Sequence, residues 1–481
     1  MKSSSYCSRR HFLRANAFGL SSVALAWLLR EDGLLAAPVK PHTGPLKFDL
    51  TPKSPPNPAR ARAMISLFMM GGPSHVDLLD PKPIMAKYDG LKFPGDIKYD
   101  NVAESSSKVF ASPFKFSKHG QCGTEVSELL PHLASIVDDI SVIRSMKTGV
   151  NNHRESLFAV NTGNFRAGRP ALGSWLAYGL GSESQNLPAY MAMTDPRGLP
   201  QFAADHWSSG WLPAIYQGTQ VRPTEPRILN LDAADHLRGA AQEQQLAFLQ
   251  QANREHLAQH PGDLDLDARI ASYELAARMQ TSAKEALDIS RESEATKKLY
   301  GIDKEETRDY GTRCLIARRL VERGVRFVHI INVGQSWDHH GSLVTALPKS
   351  CIAVDQPCAA LIKDLKGRGL FDSTIVHWGG EMGRLPVVQN DGGKEKAGRD
   401  HNTYGFTMWL AGGGLKRGYV HGETDEWGHY AVKDVVHHYD YLATVLNQFG
   451  LEHQKLTYKR NGMELSLTDN PEARVVRELI G

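Results

Sequence analysis

The stretch AMISLFMMGGPSH (residues 63–75) decides the fold class, because an almost continuous apolar run ends abruptly in two glycines. A short run of this kind is typical of a strand that is buried on both faces within a parallel sheet. The same design recurs in VRFVHIIN (325–332) before Gly334 and in TIVHW (374–378) before Gly379. We therefore predict three buried strands, each followed by a loop that contains glycine.

Helical patterns alternate with these strands. Residues 308–323 end at Gly324, and residues 355–366 begin with an aspartate cap and an early proline and end at Gly367. Glycine after the last turn and proline in the first turn are typical helix boundaries. The alternation predicts an α/β domain with a parallel sheet that is covered on both faces.

One section interrupts the alternation. Residues 233–298 are rich in Ala, Leu, Gln, Glu and Arg and contain no strand signal. Pro261-Gly262 divides them into two helical stretches, near 234–259 and 265–290. We interpret this section as a helical hairpin inserted into the α/β domain, and we assign no chemistry to it.

The amino-terminal residues have the pattern of an export signal. Ser8-Arg9-Arg10-His11-Phe12-Leu13 is a twin-arginine sequence, and the fifteen residues 15–29 that follow carry no charge. That run is too short for a comfortable membrane span and has the proportions of a signal peptide. We expect residues 1–37 to direct twin-arginine export to the periplasm or beyond; the alternative is an uncleaved anchor.

Two further segments complete the predicted organisation. Residues 38–62 hold four closely spaced prolines and predict an extended linker. The α/β domain is expected over residues 63–475. No second apolar run is long enough to span a bilayer, so we expect no stable membrane span after the leader.

The charge of the chain excludes one class of partner. The leader holds five basic and two acidic residues, so the rest of the chain carries 51 of each. A balanced charge leaves no basic footprint for nucleic acid. Four cysteines remain after the leader, and they are too few for a disulfide framework. Cys351 and Cys358 would form either one bridge or two buried thiols.

Five polar clusters stand out along the chain, and three of them directly follow predicted strands. Carboxylates and imidazoles suit Zn, Mn or Mg, whereas single residues of this kind are more often caps, surface groups or satisfied core histidines. Parallel strands gather their carboxyl ends at one edge, which favours a shared site. The clusters are Ser74-His75-x-Asp77, Asn151-Asn152-His153-Arg154-Glu155, Asp338-His339-His340, Glu381-x-x-Arg384 and Asp400-His401.

Spacing limits how these residues would share a metal ion. Asp338 and His340 are two apart and can converge in an extended chain, whereas His339 would point away. Asp400 and His401 are adjacent, so they suit either two ions or one ion approached from a turn. Two ions would allow one to activate water while the other holds a leaving oxygen.

Long motifs then reveal a resemblance to a known family. GGPSHVDLLDPKP (71–83), WDHHG (337–341), GGEMGRLP (379–386), GRDHNTYGFTMWLAGGGLKRGYVHGETDE (398–426) and LDLDARIASYELAARMQ (264–280) look like the secreted family catalogued as domain of unknown function 1501. That family is usually placed in the alkaline phosphatase and sulfatase superfamily. The resemblance implies a three-layer α/β sandwich with a central, mostly parallel sheet and a metal site at the carboxyl edge of that sheet.

The resemblance leaves the nucleophile open. Sulfatases place a cysteine or serine at the start of a stretch that ends in Thr-Gly, and the similar stretch here is HRESLFAVNTG (153–163). His153 stands where the nucleophile would be, and Ser156 lies one turn further along. An imidazole in that place is better interpreted as a metal ligand. The metal occupancy would then fall as the pH drops below the ordinary imidazole pKa of roughly 6.5, because only the neutral ring binds a metal.

Together these observations favour an exported, metal-dependent hydrolase of phosphate or sulfate esters. The substrate would be a small molecule or a polysaccharide ester, and the cofactor a divalent ion, Zn, Mn, Mg or Ca. Glu381 would be a ligand or general base, and Arg384 would bind the anionic substrate. The alternative is a non-catalytic exported protein with a structural metal or a carbohydrate-binding role. The expected ligands are Asp77, His153, Asp338, His340, Asp400 and His401.

Overall fold

A computed structural model describes residues 48–99, 105–229, 231–232, 238–261 and 263–481. Its centre is a nine-stranded sheet, and all six residues of the strand that opens the quoted stretch are buried. In chain order the strands are β1 Ala63–Phe68, β2 Ile140–Lys147, β3 Tyr190–Met193, β4 Thr219–Val221, β5 Phe327–Ile331, β6 Thr374–Gly379, β7 Phe406–Ala411, β8 Tyr419–His421 and β9 Val436–His437.

The sheet is mostly parallel, as the sequence predicts. Its order is β8-β2-β7-β6-β1-β5-β3-β4, and β9 also pairs with β2. Strand β7 runs antiparallel to both of its neighbours, whereas all the other pairings are parallel. The carboxyl ends of eight strands and the amino end of β7 therefore lie at one edge of the sheet.

Helices cover both faces of this sheet, which gives the predicted three layers. Eleven α-helices are described, and short 3-10 turns occur between them. The helices are α1 His75–Leu78, α2 Ile84–Tyr88, α3 Pro131–Ala134, α4 His153–Thr162, α5 Leu172–Leu180, α6 Ala240–Gln259, α7 Leu264–Leu287, α8 Glu294–Leu299, α9 Glu305–Glu322, α10 Leu343–Gly367 and α11 His438–Gln448.

Side chains alternate between the two covered faces. Helices α4, α5 and α11 line a small cavity against Ser66 of β1 and its cross-strand neighbours His329 and His377. Helices α9 and α10 pack together, and α9 lies against β1 and β5. Residues of either parity in β1, such as Met64 and Ile65, are fully buried, as expected for a strand packed on both sides.

Five small two-stranded sheets are described in addition to the central sheet. The pair that matters for the site is Gly383–Arg384 with His401–Asn402, in which Arg384 lies opposite His401. The others are Ser105–Val109 with Val387–Gln389, Phe116–His119 with Thr124–Ser127, Glu423–Thr424 with Ala431–Lys433, and Thr457–Arg460 with Met463–Ser466.

Part of the segment predicted to be an extended linker, residues 48–62, is described, and some of its apolar side chains are buried. Phe48, Leu50 and Ala61 are buried in the main core. The carbonyl of Leu50 also accepts a hydrogen bond from the backbone N–H of Ser182, 2.9 Å away. The prolines keep this segment out of helix and sheet, but its apolar side chains still bury. The domain also extends past residue 475, since Leu479 is fully buried.

Helix α10 differs from its predicted extent. It begins at Leu343, twelve residues before Asp355, and it contains both Pro348 and Pro357. Asp355 is therefore not a cap of its own helix. Its carboxylate instead accepts hydrogen bonds from the backbone N–H groups of His132 and Leu133, at 2.7 and 2.8 Å, in the short helix α3.

The remaining predictions concern the hairpin, the thiols and membrane spans. Helices α6 and α7 lie within the predicted hairpin section, although residues 233–237 fall outside the described residues. Cys351 and Cys358 are buried free thiols rather than a bridge. No helix of the described part is long and apolar enough to cross a membrane. The predicted leader, residues 1–37, also lies outside the described part.

Candidate metal centre

Four side chains converge at the carboxyl edge of the sheet. His153 begins α4 after β2, Asp338 and His340 lie in the loop after β5, and His401 precedes β7. One ligand atom from each of them lies within 4.8 Å of the others. Strand direction explains the meeting, because every one of these loops leaves or enters the sheet at the same edge.

The three imidazoles approach the carboxylate of Asp338 through the same ring nitrogen. The Nε2 atoms of His340 and His401 lie 2.8 and 3.3 Å from Oδ1, and the Nε2 of His153 lies 3.4 Å from Oδ2. The Nε2 atoms of His340 and His401 are only 3.0 Å apart. At most one proton can stand between two such nitrogens, so their convergence suits a shared cation.

These spacings fit the donor geometry of a divalent metal. Ligand bonds of about 2.0–2.1 Å in a tetrahedral zinc site place neighbouring donors about 3.3 Å apart. The contacts made by Asp338 with His153, His340 and His401 fall near that value. Imidazole nitrogen and carboxylate oxygen are also the donors that zinc accepts. The residues therefore fit the metal that the sequence predicts.

Glu381 lies behind His153 rather than among the four converging side chains. Its Oε1 accepts a hydrogen bond from the Nδ1 of His153 at 2.6 Å, and its carboxylate also accepts the backbone N–H of Gly71 at 2.9 Å. The side chain is 0% exposed. A carboxylate bound to Nδ1 fixes the tautomer that leaves Nε2 for a metal, so Glu381 acts as a positioning residue.

Gly71 makes this arrangement sterically possible. Its φ is +112°, and a Cβ added there would lie 2.6 Å from the backbone nitrogen of Asp338. Only glycine allows the loop after β1 to pass so close beneath the loop that carries Asp338. Gly71, which follows the apolar run of β1, thus lies between the carboxylate of Glu381 and the loop that carries Asp338.

The protonation of the cluster depends on two carboxylates, that of Asp338 within it and that of Glu381 behind His153. Burial lowers the pKa of His153, but hydrogen bonds to Asp338 and Glu381 outweigh burial and raise this pKa to about 9. Burial raises the pKa of Asp338, but the charge of Arg384 and the hydrogen bonds of the histidines hold it well below its usual range. Asp338 is therefore an anion, and the metal-free site holds a proton on His153.

The proposed substrate contact of Arg384 is not what the structure shows. The guanidinium is 0% exposed. Its Nε donates to the carbonyl of Gly72 at 3.0 Å, and one terminal nitrogen donates to the carbonyl of Arg399 at 3.1 Å. The other terminal nitrogen contacts Asp338 at 2.5 Å. Two backbone carbonyls and Asp338 thus engage the covered guanidinium, so the structure directs it to Asp338 rather than to a substrate anion.

Asp77 lies outside the cluster because a buried arginine engages it. Arg399 donates from Nε at 2.7 Å and from a terminal nitrogen at 3.0 Å to the two oxygens of Asp77. Both side chains are fully buried. The hydroxyl of Ser74 also donates to Asp77 at 2.5 Å. The predicted ligand is thus half of a bidentate ion pair.

Three other predicted neighbours also lie apart from the four. Asp400 accepts the backbone N–H of His401 at 2.8 Å and is not among the converging ligand atoms. His75 contacts the carbonyl of Gly428 through Nε2 at 2.7 Å. His339 points away, as predicted, with Nε2 3.3 Å from the hydroxyl of Ser350.

Ser156, the alternative nucleophile, is a structural residue. Its side chain is fully buried, and its hydroxyl donates to the carbonyl of Val150 at 2.5 Å. A register shift of α4 would be needed to bring it to the cluster. The start of this helix therefore presents an imidazole, that of His153, rather than a hydroxyl to the cluster.

Sequence reasoning missed two partners of the site. Gln389 places Oε1 2.5 Å from the Nδ1 of His340, which directs the Nε2 of that ring toward the cluster. Arg399 neutralises Asp77. Arg399 stands within the quoted motif GRDH, so its position was visible in the sequence, but its partner was not. No sequence motif around Gln389 indicates that it contacts His340.

Comparisons with known proteins show the family. The family described as "Protein of unknown function (DUF1501)" matches residues 61–480, and the chain belongs to it. Curated protein sequences give no significant match.

Several solved structures are distantly similar. They include the lipoteichoic acid synthase LtaP from Listeria monocytogenes, at 10% identity and a TM-score of 0.35, covering 85% of this chain and 76% of that one. The PsFucS1 sulfatase from Pseudoalteromonas sp. is 11% identical with a TM-score of 0.35, covering 82% and 68%. The phosphonate monoester hydrolase SpPMH from Silicibacter pomeroyi is 11% identical with a TM-score of 0.32, covering 73% and 71%. Such low values leave the chemistry to be argued from this chain's own residues.

Proposed function

We propose that this member of the DUF1501 family is an exported, metal-dependent hydrolase of phosphate or sulfate esters. The observation that carries the proposal is the convergence of three imidazole Nε2 atoms on the carboxylate of Asp338. A divalent cation bound there would polarise an ester oxygen and lower the pKa of water. The choice of phosphate or sulfate esters comes from the sequence resemblance.

The chain's own residues have distinct roles in this proposal. His153, His340, His401 and Asp338 would hold the ion. Glu381 fixes the orientation of His153, and Gln389 does the same for His340. Arg384 would hold Asp338 in place, and Asp77 would have a structural role as the partner of Arg399. Three imidazoles favour zinc among the four candidate ions, because magnesium, calcium and manganese prefer oxygen donors.

Solvent reaches one side of the cluster. The side chains of His340 and Asp338 are 29% and 15% exposed, whereas His153 and His401 are nearly covered. An ester group, from a small molecule or a polysaccharide, would therefore approach past His340. Asp338 is held in place by the buried guanidinium of Arg384.

A second candidate function has an observation in its favour. Four protein donors are the number found in closed structural zinc sites, whereas catalytic sites commonly use three. An exported, non-catalytic protein with a structural ion would use the same four residues. The two candidates differ in whether a bound ion keeps a position open to substrate.

Ester hydrolysis by the metal-loaded full-length chain separates these candidates. The substrates would be p-nitrophenyl phosphate, bis-p-nitrophenyl phosphate and p-nitrophenyl sulfate. We expect turnover of at least one of them, reduced at least about a hundredfold in His340→Ala and retained in His256→Ala, an exposed residue of α6. Metal binding without turnover of any ester would instead favour the structural site.

Export is proposed from the twin-arginine pattern alone. Arg9 and Arg10 precede the uncharged run, and such a leader would pass the folded, metal-loaded protein to the twin-arginine machinery. Replacing both residues by lysine is expected to leave the precursor in the cytoplasm. Normal export of that double variant would contradict the assignment.

A further inference from the structure

A second cavity opens at the same edge of the sheet, beside the metal centre. It has a volume of about 310 Å³ and is lined by the loops after β3 and β5 and by helices α9 and α10. Asp195 comes from the first loop and Asn332 from the second. Crevices outside the carboxyl ends of parallel strands are where ligands bind in α/β proteins. We call this cavity the strand-end pocket.

The floor of the pocket is a buried polar group of three side chains. Arg313 of α9 directs one terminal nitrogen to Asp195 and Asn332, each at 3.4 Å. All three residues are buried. The Nε of Arg313 and the hydroxyl of Ser336 have no hydrogen-bond partner among the described residues. Hydrogen-bonding capacity therefore remains at the floor.

The charges around the pocket balance. Its acidic lining residues are Asp195, Glu306 and Asp309, and its basic ones are Arg197, Arg313 and Lys349. Arg197 contacts Asp195 at 2.9 Å, which neutralises the floor carboxylate further. A pocket without net charge gives no general advantage to an anion or a cation. It offers both donors and acceptors at fixed positions, which is what a hydroxyl group needs.

Aromatic residues complete the lining. Tyr310 and Trp337 are buried, and the Arg313 guanidinium lies over the Tyr310 ring at 4.9 Å. Both rings are almost fully covered, so the apolar surface that the pocket presents comes from Pro196 and Ala353. Apolar surface beside polar groups suits a ligand with C–H faces and hydroxyl edges. Trp337 also directly precedes Asp338, so the same loop borders the pocket and the metal centre.

We propose that the strand-end pocket binds a neutral, hydroxyl-rich ligand of monosaccharide size. Its volume lies at the lower end of the roughly 300–1,000 Å³ range of ligand pockets, so it takes one sugar-sized unit. Fixed, charge-balanced donors and acceptors set the polar contacts, and Pro196 and Ala353 set the apolar ones. The inference goes beyond the proposed hydrolysis and does not depend on it, because binding needs no turnover.

Saturation-transfer NMR on the full-length chain tests this binding. The probes are D-glucose, D-galactose and N-acetyl-D-glucosamine at millimolar concentration, with zwitterionic glycine and anionic inorganic sulfate as competitors that carry formal charges. We expect saturation of the ring protons of at least one sugar. Neither charged competitor should displace it.

Two substitutions on one helix locate the site. Ala353→Trp would fill the pocket from α10, and the neighbouring Ile352→Trp is the matched control, because Ile352 is 53% exposed and does not line the pocket. The sugar signal should fall at least about tenfold in the first variant, the loss expected when a bound ligand's contacts are removed, and stay unchanged in the second. If Ala353→Trp does not fold, Lys349→Ala replaces it as the test. Lys349 is an exposed residue of the lining, and its loss should weaken sugar binding.

Three results would overturn the proposal. They are no saturation of any of the three sugars, an unchanged signal in Ala353→Trp and Lys349→Ala, or displacement of the sugar by sulfate or glycine. His340→Ala, which disables the proposed hydrolase, should bind the sugar as wild type does. Failure of the hydrolysis assay alone therefore leaves this inference standing, and failure of sugar binding leaves the hydrolase proposal standing.

Discussion

His153 and Glu381 come from different strand ends, 228 positions apart, and a 2.6 Å hydrogen bond joins the Nδ1 of the first to the Oε1 of the second. The bond decides which ring nitrogen faces the cluster, so the proposed metal centre depends on a residue that would not touch the ion. A second bond, from the backbone of Gly71, fixes the carboxylate itself.

Glu381→Gln should weaken zinc binding without unfolding the protein. The amide keeps an acceptor for His153 but loses the charge that makes the ring a good ligand. Loss of such a partner typically costs about 10–100-fold in metal affinity. Competition with a zinc chelator measures the change. Glu395→Gln, in an exposed loop, is the control and should keep wild-type affinity.

Zinc affinity should depend on pH well above the ordinary imidazole range. The pKa of His153 in the free protein is raised to about 9, because its hydrogen bonds to Asp338 and Glu381 outweigh burial. The ion must displace that proton, so affinity should fall about tenfold per pH unit below 9. This replaces the expectation of a fall only below 6.5. Affinity that is flat between neutral pH and 9 would contradict it.

Asp77→Asn should destabilise the fold and leave the metal content unchanged. The substitution strands the buried charge of Arg399, and breaking a buried pair in this way costs about 3–5 kcal/mol. Denaturant unfolding measures the loss, and elemental analysis measures the metal. Asp391→Asn removes a half-exposed partner of Lys108 and should cost less than about 1 kcal/mol. Loss of metal in Asp77→Asn would restore it as a ligand.

His377 should make the protein sensitive to acid. Burial lowers the pKa of this imidazole to about 3, whereas in the unfolded chain it is near 6.5. Below pH 6.5 the unfolded chain takes up the proton first, so stability present above that pH is lost as pH falls.

The loss from this one group is up to about 1.4 kcal/mol per pH unit. Urea unfolding between neutral pH and pH 4 gives the free energy of unfolding at each pH. The slope of this free energy against pH should be smaller by about that amount in His377→Asn than in the wild type. His256→Asn, at an exposed position, should keep the wild-type slope. An equal slope in all three proteins would exclude His377 as a source of acid sensitivity.

Much of the architecture follows from local sequence. The runs at 63–70, 325–332 and 374–378 became the central strands β1, β5 and β6, because their burial on both faces requires continuous apolar residues. Parallel direction then places their following loops at one edge. That rule covered Asp338 and His340, which follow a predicted strand. It did not cover His153 and His401, which entered the predicted site through their residue types and the family resemblance.

The partners of individual charges could not be predicted in the same way. Asp77 and Arg384 sit in motifs that look like ligands and substrate contacts, yet Arg399 and backbone carbonyls use them fully. Such pairing depends on side chains that approach from distant loops, and spacing along the chain does not encode it. The early start of α10 has a similar cause, because Asp355 and Pro357 suggested a boundary, whereas the helix already begins at Leu343.

The most direct test of the account is anomalous diffraction from crystals of the zinc-loaded protein. We predict one strong peak, bounded by the Nε2 atoms of His153, His340 and His401 and a carboxylate oxygen of Asp338, at bond lengths of about 2.0–2.2 Å. Glu381 should remain on the Nδ1 of His153, outside bonding distance of the ion. A peak coordinated by Asp77 or Asp400 instead, or no peak among these histidines, would contradict the account.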